Sequence, residues 1–239
     1  SYMSRRPVLE LIGEKLSPTL ELSGTAFLLA LMIAVPLGVT GAIKKGKAFD
    51  NITSVATFLG ISMPAFWFGM ILQLVFSVQL KWLPSATRVS TSGAGAGGFW
   101  DVVRHLIMPA IVLSLIYIAS WARYTRSNFI EVMNQDYIRT ARAKGMREKT
   151  VLFVHALRNA MIPLVTVVML DIPAIFSGAV VTETVFAWPG MGYFFNDSLS
   201  KQDYPVLMGI LMINAVLVIL SNLIADILYA VLDPRIKYE

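Results

Sequence analysis

The chain has 239 residues, of which 56% are apolar and 15% charged, with a net charge of +5 and a mean hydropathy of +0.66. A water-soluble domain carries more charge and could not hide this much apolar surface, and the basic residues alternate with long apolar runs instead of forming the stripe that nucleic acid requires. There is no cysteine, so no disulfide framework or thiolate site, and His105 and His155 stand too far apart in sequence to suggest a zinc cluster.

In chain order, Ser1 to Pro7 lacks both a starting methionine and a signal-peptide core. The segment 1–18 is expected to be external and to lead from an earlier part of a longer chain into the first visible span. Five segments are then long enough, at about 1.5 Å per residue, to cross a hydrocarbon layer of roughly 30 Å. They lie near Thr19–Ile43, Ile52–Leu80, Leu106–Arg126, Ala160–Thr182 and Val206–Val231. None shows strand alternation, and a helix satisfies its own backbone in lipid, so the expected fold is an all-α polytopic helical bundle. Pro36, Pro64, Pro163 and Pro173, with Gly38 and Gly60, predict kinks within it.

Lysines and arginines set the orientation, because cytoplasmic ends retain them. Lys44, Lys45 and Lys47 follow the first span, Arg139 to Arg158 separates the third from the fourth, and Arg235 and Lys237 follow the last. Those ends, including the C-terminus, are predicted to be cytoplasmic. The opposite ends carry only Lys81, Arg88, Arg104 and Lys201, with Trp82, Trp100 and Trp188 as interfacial aromatics. An odd number of visible spans then places Ser1 outside, which predicts one more helix ahead of it, six in all. The small residues from Ser90 to Gly98 read as a flexible external loop with no chemistry, and Trp188 to Phe195 as a tight external excursion pressed onto the bundle.

The most charged connection, residues 131–158, reads as a continuation of the third helix to Lys144, a break at Gly145, and then an amphipathic helix with Val151, Val154, Leu157 and Met161 on one face. Such a helix is suited either to a groove on a cytosolic partner or to the lipid headgroups. The run Asp136-Tyr137-Ile138-Arg139-Thr140-Ala141-Arg142-Ala143-Lys144-Gly145, followed by His155-Ala156-Leu157-Arg158-Asn159-Ala160 and Pro163, resembles the Glu-Ala-Ala loop of ABC importer permeases. More narrowly, it is similar to the dipeptide, oligopeptide and nickel permease family. The general pattern has a glutamate where Arg139 stands and a later proline where Arg158 stands, and both departures are typical of that branch. Glu183 to Gly192, Asp203 to Val206 and Leu232-Asp233-Pro234-Arg235 resemble further blocks of the family, and Thr140 to Gly145 looks like the first of its two permease types.

The resemblance implies a type I ABC importer transmembrane fold in the bacterial plasma (inner) membrane, with 19–239 as the permease domain and peptide favoured over nickel as solute. It also implies a homologous second permease subunit, two cytosolic ATPase subunits that bind ATP and magnesium, and an external solute-binding protein, with membrane lipid around the chain. The chain itself would hold no cofactor and catalyse nothing, and it has no phosphate-binding Gly-x-x-x-x-Gly-Lys-Ser/Thr loop. The resemblance implies ATPase coupling by Asp136, Tyr137, Arg139, Thr140, Ala141, Arg142, Ala143, Lys144, Gly145, His155, Leu157 and Arg158. On the solute path, Asp171 is the mid-span charge, so it reads either as a polar liner or as a group hydrogen-bonded to a neighbouring helix. Pro173 and Glu183 are its companion candidates. Two rivals are weaker: an intramembrane enzyme lacks its His-Glu-x-x-His or paired aspartates, and an ATP-independent channel has no need of the Gly145 loop.

Overall fold

A computed structural model of the chain describes residues 1–92, 96–177 and 179–232, and every regular element among them is helical. The helices are α1 (Val8–Ile43), α2 (Ala48–Ser62), α3 (Ala65–Leu72), which runs on as a wider π-type turn over Gln73–Gln79, α4 (Phe99–Met133) and α5 (Asp136–Ala143). Then come α6, which opens at Glu148–Thr150, widens over Val151–Ala156 and continues as Leu157–Ser177, α7 (Val180–Val185), α8 (Met191–Ser200) and α9 (Tyr204–Leu232). Four of these helices are long and apolar enough to span a membrane, and the interrupted pair α2 and α3 makes up to five.

Three predicted elements take a different form. The second span is interrupted at Met63-Pro64: the residue before a proline is driven out of helical geometry, and Pro64 itself is extended, with φ −61° and ψ 128°. The third helix does not run on to Lys144. It ends at Met133, Gln135 turns extended (ψ 149°), and α5 starts afresh at Asp136. The short separate helix of this region therefore precedes Gly145, whereas the stretch after it is the start of a long span. At the N-terminal end α1 begins at Val8, ahead of the predicted Thr19, because Leu11 and Ile12 are buried and extend the packed face. Helix α6 runs through Pro163 and Pro173 without interruption. The predicted ending at Leu232-Asp233-Pro234-Arg235 and Lys237 lies, beyond Leu232, outside the described residues.

The chain forms two compact units, each with its own core. The first comprises Ser1–Leu29, Met63–Leu115 and Ile172–Ser221. Its organising feature is the turn between α7 and α8, from which three side chains each enter a different cluster. Phe186 packs with Met108 and Val112, Trp188 with Leu22 and Ala110, and Met191 with Leu11, Ile12, Val206 and Ile210. Trp188 is fully buried and donates its Nε1–H to the Pro18 carbonyl at 2.8 Å. It is thus a core residue, not the interfacial aromatic its position in sequence suggests. Trp82 and Trp100 do stay exposed, at 61% and 74%. Glu21, part-exposed, pairs with Arg88 at 2.7 Å. In the loop predicted to lack structure, Ser90 and Gly97 are both held by Asp101, which accepts from the Ser90 N–H at 2.8 Å and the Gly97 N–H at 3.0 Å; residues 93–95 lie outside the described residues.

The second unit comprises Ala30–Ser62, Ile116–Asp171 and the chain from Asn222. Its core joins Val39 and Ala42 of α1, Phe129 of α4, Ile138 and Ala141 of α5, and Val151, Ala156 and Ala160 of α6. An ion pair between a buried carboxylate and a part-exposed guanidinium belongs to the same unit. Arg126 donates from Nε to Asp50 Oδ1 at 2.5 Å and from Nη2 to Oδ2 at 2.8 Å, while the Gly46 N–H also donates to Oδ2 at 2.9 Å. Asp50 is only 2% exposed, and its truncation removes three hydrogen bonds to a charged group at once, while the guanidinium and the Gly46 amide remain within reach of water. Asp50→Ala is expected to lower stability by about 1.5–3 kcal/mol, read as a shift in thermal unfolding of the detergent-solubilised protein, and Arg126→Ala to cost a similar amount.

Candidate functional site

The candidate coupling residues gather in the second unit, on α5, on the turn after it and on the opening of α6. Helix α5 is held by one stripe. Ile138 is fully buried and Ala141 nearly so, three residues apart and therefore on one face. The opposite face carries Asp136, Tyr137, Arg139, Thr140, Ala143 and Lys144, all exposed. A helix of this length is not stable alone in water, so burial of Ile138 and Ala141 against α1, α4 and α6 is what keeps the polar face presented.

The end of α5 is a Schellman turn. The Met146 N–H reaches the Ala141 carbonyl at 3.3 Å and the Gly145 N–H reaches that of Arg142 at 2.9 Å, with Gly145 in the left-handed region at φ +76°. Met146 then packs on the cluster that holds Ala141, which supplies the apolar contact such turns favour. Across the turn, Arg142 donates to Glu148 at 2.7 and 3.2 Å. This pairing holds the Arg142 guanidinium above its usual pKa. Both side chains are about half exposed, so the bridge orients the loop more than it stabilises it. A Cβ on Gly145 would meet nothing within 4 Å of this chain; the constraint there is conformational, not spatial. On α6, His155 and Leu157 are half-buried and Arg158 exposed. The sequence places the amphipathic helix after Gly145; there Val151 and Leu157 pack on the same cluster as Ile138 and Ala141 while Val154 is exposed, the short separate helix is α5, and only the Gln135 turn, which has no strong breaker, separates it from α4.

Two of the candidate path residues have specific surroundings. Asp171, half-exposed on α6, accepts from Trp121 Nε1 of α4 at 2.8 Å. Pro173, two residues on, is buried. Glu183 is wholly buried in the first unit on α7, outside the long apolar helices. Its carboxyl accepts from Thr19 Oγ1 at 3.0 Å, from the Tyr193 N–H at 2.9 Å and from the Ala179 N–H at 3.3 Å, and the Thr19 hydroxyl in turn accepts from the Met191 N–H at 2.7 Å. Gly190 closes over this network: a Cβ there would overlap Thr19 Oγ1 and lie 2.5 Å from Glu183 Oε2. Sequence reasoning missed Thr19, Asp50 and Arg126. The one trace of them in the sequence is that a charge or hydroxyl within an apolar run needs a partner, and the partners stand up to 172 residues away.

A polytopic helical chain with a packed, outward-facing helix between two spans defines a membrane permease domain, and its fold is that of a type I ABC importer transmembrane subunit. A chain of the MetNI methionine ABC transporter, in inward-facing conformations, superimposes with a TM-score of 0.73 over 95% of this chain and 99% of that one, at 15% identity. Residues 34–238 match the family described as binding-protein-dependent transport system inner membrane component, and the chain belongs to it. It is 50% identical to the oligopeptide transport system permease protein AppB of Bacillus subtilis (strain 168), over 97% of this chain and 73% of that protein. To the dipeptide transport system permease protein DppB of Escherichia coli (strain K12) it is 42% identical, over all of this chain and 76% of that protein. It is therefore a multi-pass membrane protein of the bacterial inner membrane.

The Glu183 network yields two expectations. Gly190→Ala should lower stability by about 1–3 kcal/mol through overpacking, seen as earlier thermal unfolding. Burial pushes the Glu183 carboxyl above its usual 4.5, against the pull of the Tyr193, Thr19, Ala179 and Gly192 donors. The folded chain thus keeps this proton to higher pH than the unfolded chain, so its contribution is full below the unfolded value and is lost as pH rises through the folded one. Wild type should lose stability relative to Glu183→Gln as pH rises above the ordinary carboxylate range, measured as the difference in their unfolding temperatures.

Proposed function

We propose that this chain is one of two homologous permease subunits of an ATP-driven importer for di- or oligopeptides. The relatives named as oligopeptide and dipeptide permeases, matched over nearly all of the chain, support peptide as the cargo. In this reading an external solute-binding protein delivers the cargo, and two cytosolic ATPase subunits bind ATP and magnesium. The ends rich in lysine and arginine, with α5 and the C-terminus, face the cytoplasm.

Mechanism follows from what α5 presents. ATP can drive a solute only if the nucleotide state is tied to which membrane conformation is populated. Helix α5 supplies the tie: Tyr137, Arg139, Thr140 and Ala143 face an ATPase groove, and Ile138 and Ala141 carry its movement into the spans. His155 and Arg158 on α6 orient the loop from behind, Arg142 and Glu148 brace it, and the open space beside Gly145 is where the ATPase sits. Asp171 and Pro173 contribute to the path on α6. Glu183 serves it by holding the α7–α8 turn.

The observation that carries this reading is an exposed polar helix face fixed to a membrane core by two buried residues. Its test uses the importer co-assembled with its partner subunits in proteoliposomes. Gly145→Trp should abolish ATP-dependent uptake of a labelled oligopeptide, with membrane insertion intact. Asn at this position tolerates positive φ, so Gly145→Asn should keep thermal stability within about 1 kcal/mol of wild type while still reducing uptake, since its side chain enters the space beside the turn. Normal uptake in Gly145→Trp overturns the coupling role; absence of ATP-dependent peptide uptake by wild type overturns the importer assignment.

A further inference from the structure

The first unit contains a second polar site, unrelated to coupling or to the α7–α8 turn. A cavity of about 280 Å³ opens between the end of α3 and the start of α4, lined by Ser77, Lys81, Trp82, Asp101, Arg104 and His105. Its charges are unevenly satisfied. The Asp101 carboxylate already accepts from Ser90 Oγ at 2.7 Å as well as from the Ser90 and Gly97 amides. Arg104 uses one N–H on the Trp82 carbonyl at 2.9 Å. Among the described residues its other donors have no partner, and neither does the Lys81 ammonium. Ser77 Oγ is buried with no hydrogen-bond partner. His105 closes the back, its ring Nδ1 held 2.8 Å from the Asp101 carbonyl.

Two cations outnumber the one ionised carboxylate, which is turned to its own three donors, and with an unpartnered hydroxyl they make a site for an anion with several acceptor oxygens. A guanidinium fork fixed by one of its own bonds suits a phosphate, and an ammonium adds a point charge. Lys81 adopts φ +55° as the left-handed residue that ends the Gln73–Gln79 turn, closed by the Trp82 N–H on the Phe76 carbonyl at 2.8 Å.

The rim identifies the source of the phosphate. Trp82, which lines the cavity, is 61% exposed, and Phe99 and Trp100, which directly precede the lining residue Asp101 in sequence, are both 74% exposed and stack edge to face at 5.4 Å. Amphipathic aromatics of this kind sit at headgroup depth. Leu74 and Val78, on the helix that carries Ser77, are also exposed, at 51% and 62%, which provides an apolar track for an acyl chain. We propose that this cavity binds the phosphate of an anionic phospholipid headgroup, with Arg104 and Lys81 as its principal contacts and Ser77 as a third donor. The site requires only that the chain spans a membrane, and is independent of cargo and of coupling.

The test is native mass spectrometry of the assembled importer taken from nanodiscs containing phosphatidylglycerol and phosphatidylcholine. Wild type should retain phosphatidylglycerol selectively, and Lys81→Gln and Arg104→Gln should each weaken that retention about fivefold. Arg104→Lys should fall between, having kept charge but lost the fork. Lys201→Gln, which removes a lysine paired with Asp197, should leave retention unchanged. Thermal unfolding in phosphatidylcholine discs establishes that each variant is folded, and Ser77→Leu, which fills the cavity without altering charge, serves if an arginine variant is not. Equal retention by wild type and the Lys81 and Arg104 variants overturns the site. Selective binding of inorganic phosphate in detergent, with no preference for phosphatidylglycerol, overturns the lipid assignment, as does occupation of the cavity by a partner protein that excludes lipid.

Discussion

Hydrocarbon offers no water to a broken helix, and at the water-facing ends too this chain answers several of the backbone groups freed where it leaves helical geometry with partners of its own. Four such places organise the molecule. At the α1–α2 turn Asp50 takes the Gly46 amide. After α3, Gln73 donates from Nε2 to the Ser85 and Val185 carbonyls. Between α6 and α8, Glu183 takes the Ala179 and Tyr193 amides. At Gly145 the backbone closes on itself through two carbonyls of α5. In each case one polar group or one glycine answers the freed backbone groups, whether the turn meets lipid or water.

The parts of this fold that were legible in the sequence are those governed by composition. Long apolar runs make helices in lipid whatever their detailed order, and α1, α4, α6 and α9 appear where those runs lie. Residues with a local cause were legible too: Gly145 ends a helix in a left-handed conformation that favours glycine, and Trp188-Pro189-Gly190 makes a tight turn. Pairings across the chain were not. Asp50 meets Arg126 from 76 residues away, and nothing in either neighbourhood names the other. The boundary between α4 and α5 was hidden for a different reason. Gln135 is a residue that helices accept, and the turn there follows from Ile138 being drawn into the core, which is a tertiary effect on local structure.

The candidate site shows the same division. A patterned stretch of small and basic residues could be located by eye, but the faces of α5 could not be assigned until its burial was known. Ala141, one of the small residues grouped there with Ala143, turns inward, while Ala143 stays outside. Arg142 reads as a free cation in sequence and is in fact engaged by Glu148. Resemblance within a family names the loop; packing divides its residues into those that anchor and those that are offered.

The anchoring of α5 also settles how a load is shared. Ile138 and Ala141 press on Val39, Phe129, Val151 and Ala156, side chains that come from three separate long helices. Close-packed interiors have low compressibility and transmit strain. A displacement imposed on this short helix is therefore borne by all three at once, like a keystone leaning on its neighbours, and no single span can yield while the others stand still.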